Sequence, residues 1–219
     1  MLESGFELLE GFLSPSQIDQ IIENVSSYAL EVNAGGVRNA EKKFASIKSL
    51  AKSQVVLATA RSYLKGNPAL VRAILFDKTQ SSNWLVTWHQ DRTVAVSKKF
   101  DLPGWGPWSI KDGVVHVQPP AEILEDMVTF RIHLDHANGD NGCLKVIPHS
   151  HVMGMLDSRR ISSLVRNSLP VTCNVKAGST LVMRPLLLHA SSKVTRPSHR
   201  RIIHLEFSSY MLPLGISWA

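Results

Sequence analysis

His89 and Asp91 flank Gln90 at the end of the apolar run Trp84 to His89, a spacing suited to metal chemistry. Side chains two residues apart on a strand project from the same face. An imidazole and a carboxylate presented this way supply two legs of a facial triad. A second histidine completes the triad and leaves three adjacent positions open, which suits an Fe(II) ion that binds a co-substrate and oxygen side by side. His189 is the natural third leg, because the apolar stretch Leu186 to Leu188 delivers it to an Ala-Ser turn. Arg200 follows eleven residues beyond His189 and opens another strand. A guanidinium there matches a dicarboxylate co-substrate, since its planar fork can hold a carboxylate bidentately. Ser191 adds a hydroxyl for the same carboxylate. Two alternatives stay open at this level. His133-Leu134-Asp135 repeats the His-x-Asp pattern 56 residues before His189, and Arg201 competes with Arg200, because only one of two strand neighbours faces a barrel interior.

These residues need strands to position them. From residue 71 onward, short apolar or alternating runs recur: Val71 to Asp77, Trp84 to His89, Val114 to Gln118, Val128 to Leu134, Cys143 to Ile147, Val171 to Val175, Thr180 to Met183 and Arg201 to Phe207. Gly, Pro, Asn and Asp separate most of them, the pattern of a sandwich or barrel. The first third reads as helical. Ser14 and Pro15 form an N-cap and first turn, and Ile18, Ile21, Ile22 and Val25 make one apolar stripe. Two further short helices are predicted over Phe44 to Ala51 and Gln54 to Leu64. The expected architecture is mainly β with N-terminal helices, a double-stranded β-helix of jelly-roll type with helices packed on one sheet. It is expected as one domain spanning 1–219, in which residues 1–68 are helical, 69–210 form the jelly-roll core and 211–219 a tail. Asn33 to Asn39, Val94 to Lys111 and Gly154 to Pro170 read as loops, and long loops in compact domains often serve as lids or binding segments.

At this point the chain resembles the phytanoyl-CoA dioxygenase family over roughly residues 70 to 208. The resemblance rests on Trp88-His89-Gln90-Asp91, on Asn141-Gly142-Cys143-Leu144-Lys145-Val146-Ile147-Pro148-His149-Ser150-His151, and on His189-Ala190-Ser191 with Arg200. His149 stands where the family's turn usually has glycine. The resemblance implies iron ligands at His89, Asp91 and His189, and a 2-oxoglutarate arginine and serine at Arg200 and Ser191. Fe(II), 2-oxoglutarate and O2 are the implied cofactor and co-substrates. The implied activity is hydroxylation of an unactivated C–H bond, with succinate and carbon dioxide as co-products. In the family, the strand that holds Arg131, His133 and Asp135 lines the pocket and supplies no ligand. Arg131 and His133 are therefore candidate pocket residues, joined by His116 from the strand before Pro119-Pro120 and by Trp105 as an aromatic of the loop Val94 to Lys111. Halogenating relatives replace the metal carboxylate with a small residue, so Asp91 argues against halogenation.

Composition bounds the rest. With 219 residues, 44% of them hydrophobic and 19% charged, the chain can bury a sizeable core. The net charge of +6 is carried by scattered residues rather than a dense basic run, so nucleic acid is not an expected partner. Two cysteines, Cys143 and Cys173, neither frame a disulfide scaffold nor show zinc spacing. No signal peptide or membrane-spanning run is evident, which makes a cytoplasmic location the expectation. A small-molecule substrate fits best, and nothing in the sequence specifies its identity or an oligomeric state. The alternatives are a non-catalytic jelly-roll that binds a metal or small ligand, and an oxygenase acting on nucleic acid or protein.

Overall fold

The computed structural model describes residues 2–26, 36–79, 82–195 and 199–219. The loop expected at 33–39 therefore lies partly outside the described residues. The chain opens with β1 (Phe6–Leu9) and α1 (Pro15–Ser26), followed by β2 (Val37–Arg38), α2 (Ala40–Lys43), α3 (Ala45–Ala51) and α4 (Gln54–Tyr63). β3 (Ala69–Lys78), β4 (Val86–His89), β5 (Val94–Val96), β6 (Trp108–Lys111) and β7 (Val114–Val117) come next, then α5 (Ala121–Glu125) and β8 (Met127–His133). The last elements are β9 (Leu144–Val146), α6 (Ser158–Asn167), β10 (Val171–Thr172), β11 (Thr180–Met183), β12 (His189–Ser191) and β13 (Arg200–Ser208).

α1 begins where its sequence places it. Gln17 donates its backbone N–H to the Ser14 hydroxyl at 3.3 Å, and Ser14 N–H returns a bond to the Gln17 side chain at 2.9 Å. This reciprocal pair satisfies two donors that the first turn leaves free.

The strands form antiparallel sheets ordered β1-β11-β8-β13-β3-β2, β10-β9-β12-β4 and β5-β7-β6. The first two are the opposed sheets of a double-stranded β-helix. Two-residue alternation gives the long strands of the first sheet two unlike faces. Ala73 and Leu75 of β3, Val128, Phe130 and Ile132 of β8, and Ile203, Leu205 and Phe207 of β13 pack under the helices with Ile21, Val25, Ile47 and Val56. The alternate residues face the other sheet. There Leu181 and Met183 join Cys143, Leu144, Val146 and Leu187 in a second core.

Three expectations are corrected. The N-terminal third is not purely helical, because β1 pairs with β11 and β2 with β3, so both extend the main sheet. The interval Val94 to Lys111 contains two strands, and Lys111 to Val114 closes a hairpin in which Asp112 and Gly113 both take left-handed backbone (φ 49° and 75°). Such a pair matches the right-handed strand twist. The interval Gly154 to Pro170 is built around α6, which is capped by Asp157 and buries no residue.

Candidate metal centre

β4 and β12 are direct neighbours, with His89 opposite His189 in the register. Their rings lie 4.2 Å apart between centroids. Each ring is fixed by its Nδ1, which sits 2.8 Å from the carbonyl two residues earlier, Thr87 for His89 and Leu187 for His189. A histidine that donates from one nitrogen presents the other as a free lone pair, the arrangement usual for metal ligation. Both Nε2 atoms converge on Asp91, at 3.8 Å from Oδ1 for His89 and 3.7 Å from Oδ2 for His189. The three ligand atoms all lie within 4.8 Å of one another.

The electrostatics suit a cation. Burial pushes the His189 imidazole down to about 3, so it is neutral. Burial raises the Asp91 carboxyl, but its electrostatic coupling to His189, His204, His89 and Arg72 outweighs this and holds the group well below the usual carboxylate range. Asp91 Oδ2 is buried with no hydrogen-bond partner, a cost the fold carries unless something positive sits there.

Gln90, the residue between the two, turns the opposite way and clamps the segment. Its amide nitrogen donates to Gly154 O at 2.9 Å and Leu186 O at 2.7 Å, and its oxygen accepts from Leu156 N at 2.8 Å. Asp91 N–H donates to Pro185 O at 2.9 Å. The 147–151 turn supports His189 from the other side. Ser150 Oγ accepts from Leu188 N at 2.8 Å and donates to Ile147 O at 2.7 Å. His149 takes the left-handed backbone (φ 63°) that a glycine would adopt there, and its N–H donates to Ser4 O at 2.9 Å. Gly142 (φ 70°) has no room for a side chain, because a Cβ would collide with the Ser192 carbonyl. Its own carbonyl accepts from Ser191 Oγ at 2.7 Å.

One cavity of about 260 Å³ is lined by His89, Asp91, His189, Ser191, Arg200 and Arg131, among others. Arg200 is 2% exposed, and its Nε and Nη1 have no partner. Lys78 stands directly opposite it in the β13–β3 register. The Lys78 ammonium donates to Ser191 Oγ at 2.9 Å and to Ser192 O at 2.8 Å, and burial followed by the charges of Arg200 and Arg131 brings it down to about 7. A buried guanidinium and a hydroxyl at one end of a cavity, with a buried ammonium bonded behind the hydroxyl, fit a carboxylate. Lys78 is not among the sequence candidates. Its signal, a lysine ending an otherwise apolar run, is shared by many surface strand ends.

The competing motif shares a strand face with Arg131 but lies farther along β8, beyond the cavity. Asp135 receives Arg201 through Nε at 2.9 Å and Nη2 at 2.8 Å, outside the cavity. His133 is buried with neither ring nitrogen bonded, and it does not line the cavity. His116 and Trp105 are not lining residues either. His116 is buried with Nδ1 3.1 Å from Val114 O, and Trp105 packs on Phe100 and Tyr210. Of the four pocket candidates, only Arg131 reaches the wall, where it contacts His204 Nδ1 at 3.1 Å. Asp91, His204 and Glu206 also have ligand atoms within 4.8 Å of one another. Glu206, however, is engaged by Arg72 and by His204 Nε2 at 2.8 Å, so the His89–Asp91–His189 set is the freer one.

The sequence model that matches this chain is that of phytanoyl-CoA dioxygenase (PhyH), over residues 1–202. The chain belongs to the phytanoyl-CoA dioxygenase family. It is accordingly a 2-oxoglutarate-dependent non-haem iron enzyme that uses Fe(II), 2-oxoglutarate and O2. No curated protein sequence matches it. Among solved structures, AviO1 from Streptomyces viridochromogenes Tue57 aligns with a TM-score of 0.71 at 19% identity, covering 97% of this chain and 93% of that one. EctD from S. alaskensis, solved with 2-oxoglutarate and 5-hydroxyectoine, aligns with a TM-score of 0.72 at 17% identity, covering 94% and 72%. The epimerase SnoN, solved with Fe3+, alpha ketoglutarate and nogalamycin RO, aligns with a TM-score of 0.71 at 14% identity, covering 94% and 79%. At these identities the likeness is one of fold, and it agrees with the two opposed sheets of this family member. Among the described residues, no helix is long and apolar enough to cross a membrane.

Proposed function

We propose that the enzyme hydroxylates an unactivated C–H bond of a small molecule, releasing succinate and carbon dioxide, with His89, Asp91 and His189 as iron ligands. The carrying observation is that these side chains share one cavity with the buried guanidinium of Arg200, whose Nε and Nη1 have no partner among the described residues. When bound, the iron, 2-oxoglutarate and O2 supply the oxidising power. The chain's own residues hold and shield. The Nδ1 atoms of the two imidazoles are tied to backbone carbonyls, which leaves each Nε2 to face the metal, and Asp91 contributes the negative charge. Arg200 takes the distal carboxylate of 2-oxoglutarate, the Ser191 hydroxyl donates to the same end once turned from the Gly142 carbonyl, and Lys78 adds its charge behind them. A cavity of about 260 Å³ lies at the small end of ligand sites, which favours a small substrate over a polymer. SnoN is described as an epimerase and SnoK as a carbocyclase, so the fold accommodates other outcomes on those proteins' substrates.

The test is Fe(II)-dependent conversion of 2-oxoglutarate to succinate by the purified protein. His89→Ala, Asp91→Ala and His189→Ala are each expected to abolish it while the fold persists. Turnover that survives His89→Ala but is lost in His133→Ala would move the metal to the other motif. Once a substrate is found, one atom from labelled O2 in the product is the expected result. Product without that atom would replace hydroxylation by another oxidation.

A further inference from the structure

The cavity has a second cationic pole. Arg38, Arg72 and Lys111 line it together with Asp91. They lie at the far end of the sheet from Arg200. Arg200 pairs with Lys78 and Glu206 with Arg72 on the same two strands, so the two ends are separated by six strand residues, roughly 20 Å of backbone. Arg38 enters from the edge strand β2, opposite Ile74, and Lys111 from the β6–β7 hairpin on another wall.

The charges at this pole are incompletely matched. Arg72 is paired with Glu206. Arg38 makes one contact of 3.5 Å to Asp112, with side-chain exposures of 37% and 48%, and exposed pairs of this kind contribute little. The Lys111 ammonium makes no hydrogen bond or ion pair among the described residues. Burial, then Arg72 and Arg38, hold its ammonium below the ordinary lysine value, so the local potential is positive even with Asp91 and Glu206 nearby.

We propose that this pole binds an anionic group of the substrate, a carboxylate or a phosphate, through Lys111 and Arg38. The substrate is then a small organic acid or phosphate ester whose other end reaches the metal centre at Asp91. The inference rests on the oxygenase reading above, because 2-oxoglutarate seated at Arg200 leaves this pole to the substrate.

The test uses the full-length protein loaded with Mn(II) and 2-oxoglutarate, whose binding is measured first by calorimetry. Inorganic phosphate is then titrated as the minimal anion. One phosphate is expected to bind the loaded wild type. Lys111→Met and Arg38→Met should each weaken it tenfold or more while changing 2-oxoglutarate affinity less than twofold. Two positions, both partly exposed, guard against one variant failing to fold. Absence of phosphate binding, or equal binding in Lys111→Met, overturns the proposal, and the latter would place the phosphate on the metal. Loss of 2-oxoglutarate affinity in Lys111→Met also overturns it by giving this pole to the co-substrate. A wild type that binds neither Mn(II) nor 2-oxoglutarate would instead sink the oxygenase reading, and that result appears before phosphate is added.

Discussion

Lys78 is the residue whose environment makes the sharpest statement about co-substrate binding. Its ammonium is fully buried and brought down to about 7, first by burial and then by Arg200 and Arg131. A dicarboxylate beside it restores the preference for the charged form, so the bound state holds a proton that the free protein has lost above pH 7. Affinity for 2-oxoglutarate is therefore expected to be flat below about pH 7 and to fall above it, by up to tenfold per pH unit. Titrations at pH 6.5, 7.5 and 8.5 check this, and Lys78→Met should remove the slope; a flat profile in the wild type would take Lys78 out of the site's electrostatics. Ser150 makes a different residue-scale case. Its hydroxyl satisfies the Leu188 N–H on the approach to His189, and Ser150→Ala leaves that donor buried and unpaired. A cost of about 1–3 kcal/mol is expected, read as a lower denaturant midpoint at unchanged slope.

At the scale of single elements, β13 is decisive. Arg200 faces the cavity and Arg201 is held by Asp135 on the opposite side, so their substitutions should separate two properties. Arg200→Leu is expected to weaken 2-oxoglutarate on the order of a hundredfold, the loss of a charge-assisted pair of hydrogen bonds. Arg201→Leu should leave that affinity nearly unchanged and lower stability modestly. Similar Michaelis constants in the two variants would show that the strand's register is other than described. Elements of this kind were legible in the sequence because alternation and turn residues are local signals. Thr180 to Met183 and the start of α1 at Pro15 coincide with the structure. The Asp112-Gly113 hairpin had an equally local signal, the two-residue turn pair, but its flanking run Trp108 to Lys111 is too mixed in polarity to stand out as a strand. The Arg72–Glu206–His204–Arg131 network was not legible at all. Its members come from β3, β8 and β13, and only pairing between distant strands brings them together.

For the whole molecule, a metal held as proposed would tie the Asp91 end of β4 to β12, paired strands a hundred residues apart in sequence. Binding to the folded state alone stabilises it by about 2.7 kcal/mol at a hundredfold excess over Kd. In a chain of this size that corresponds to a rise in Tm of about 5–10 °C. Melting curves with Mn(II) and with a chelator should differ by this amount in the wild type and coincide in His189→Ala; an equal shift in both would place the stabilising metal elsewhere. The two unlike faces of the main sheet have a further consequence, for engineering. Ile74 and Phe76 belong to the cavity wall, whereas their strand neighbours Ala73 and Leu75 belong to the layer under the helices. A library randomised at 74 and 76 rewrites what the enzyme selects while the helical layer keeps its packing, whereas one randomised at 73 and 75 mostly yields unfolded clones. Specificity and foldability are thus interleaved residue by residue along one strand, and each can be varied with the other held fixed.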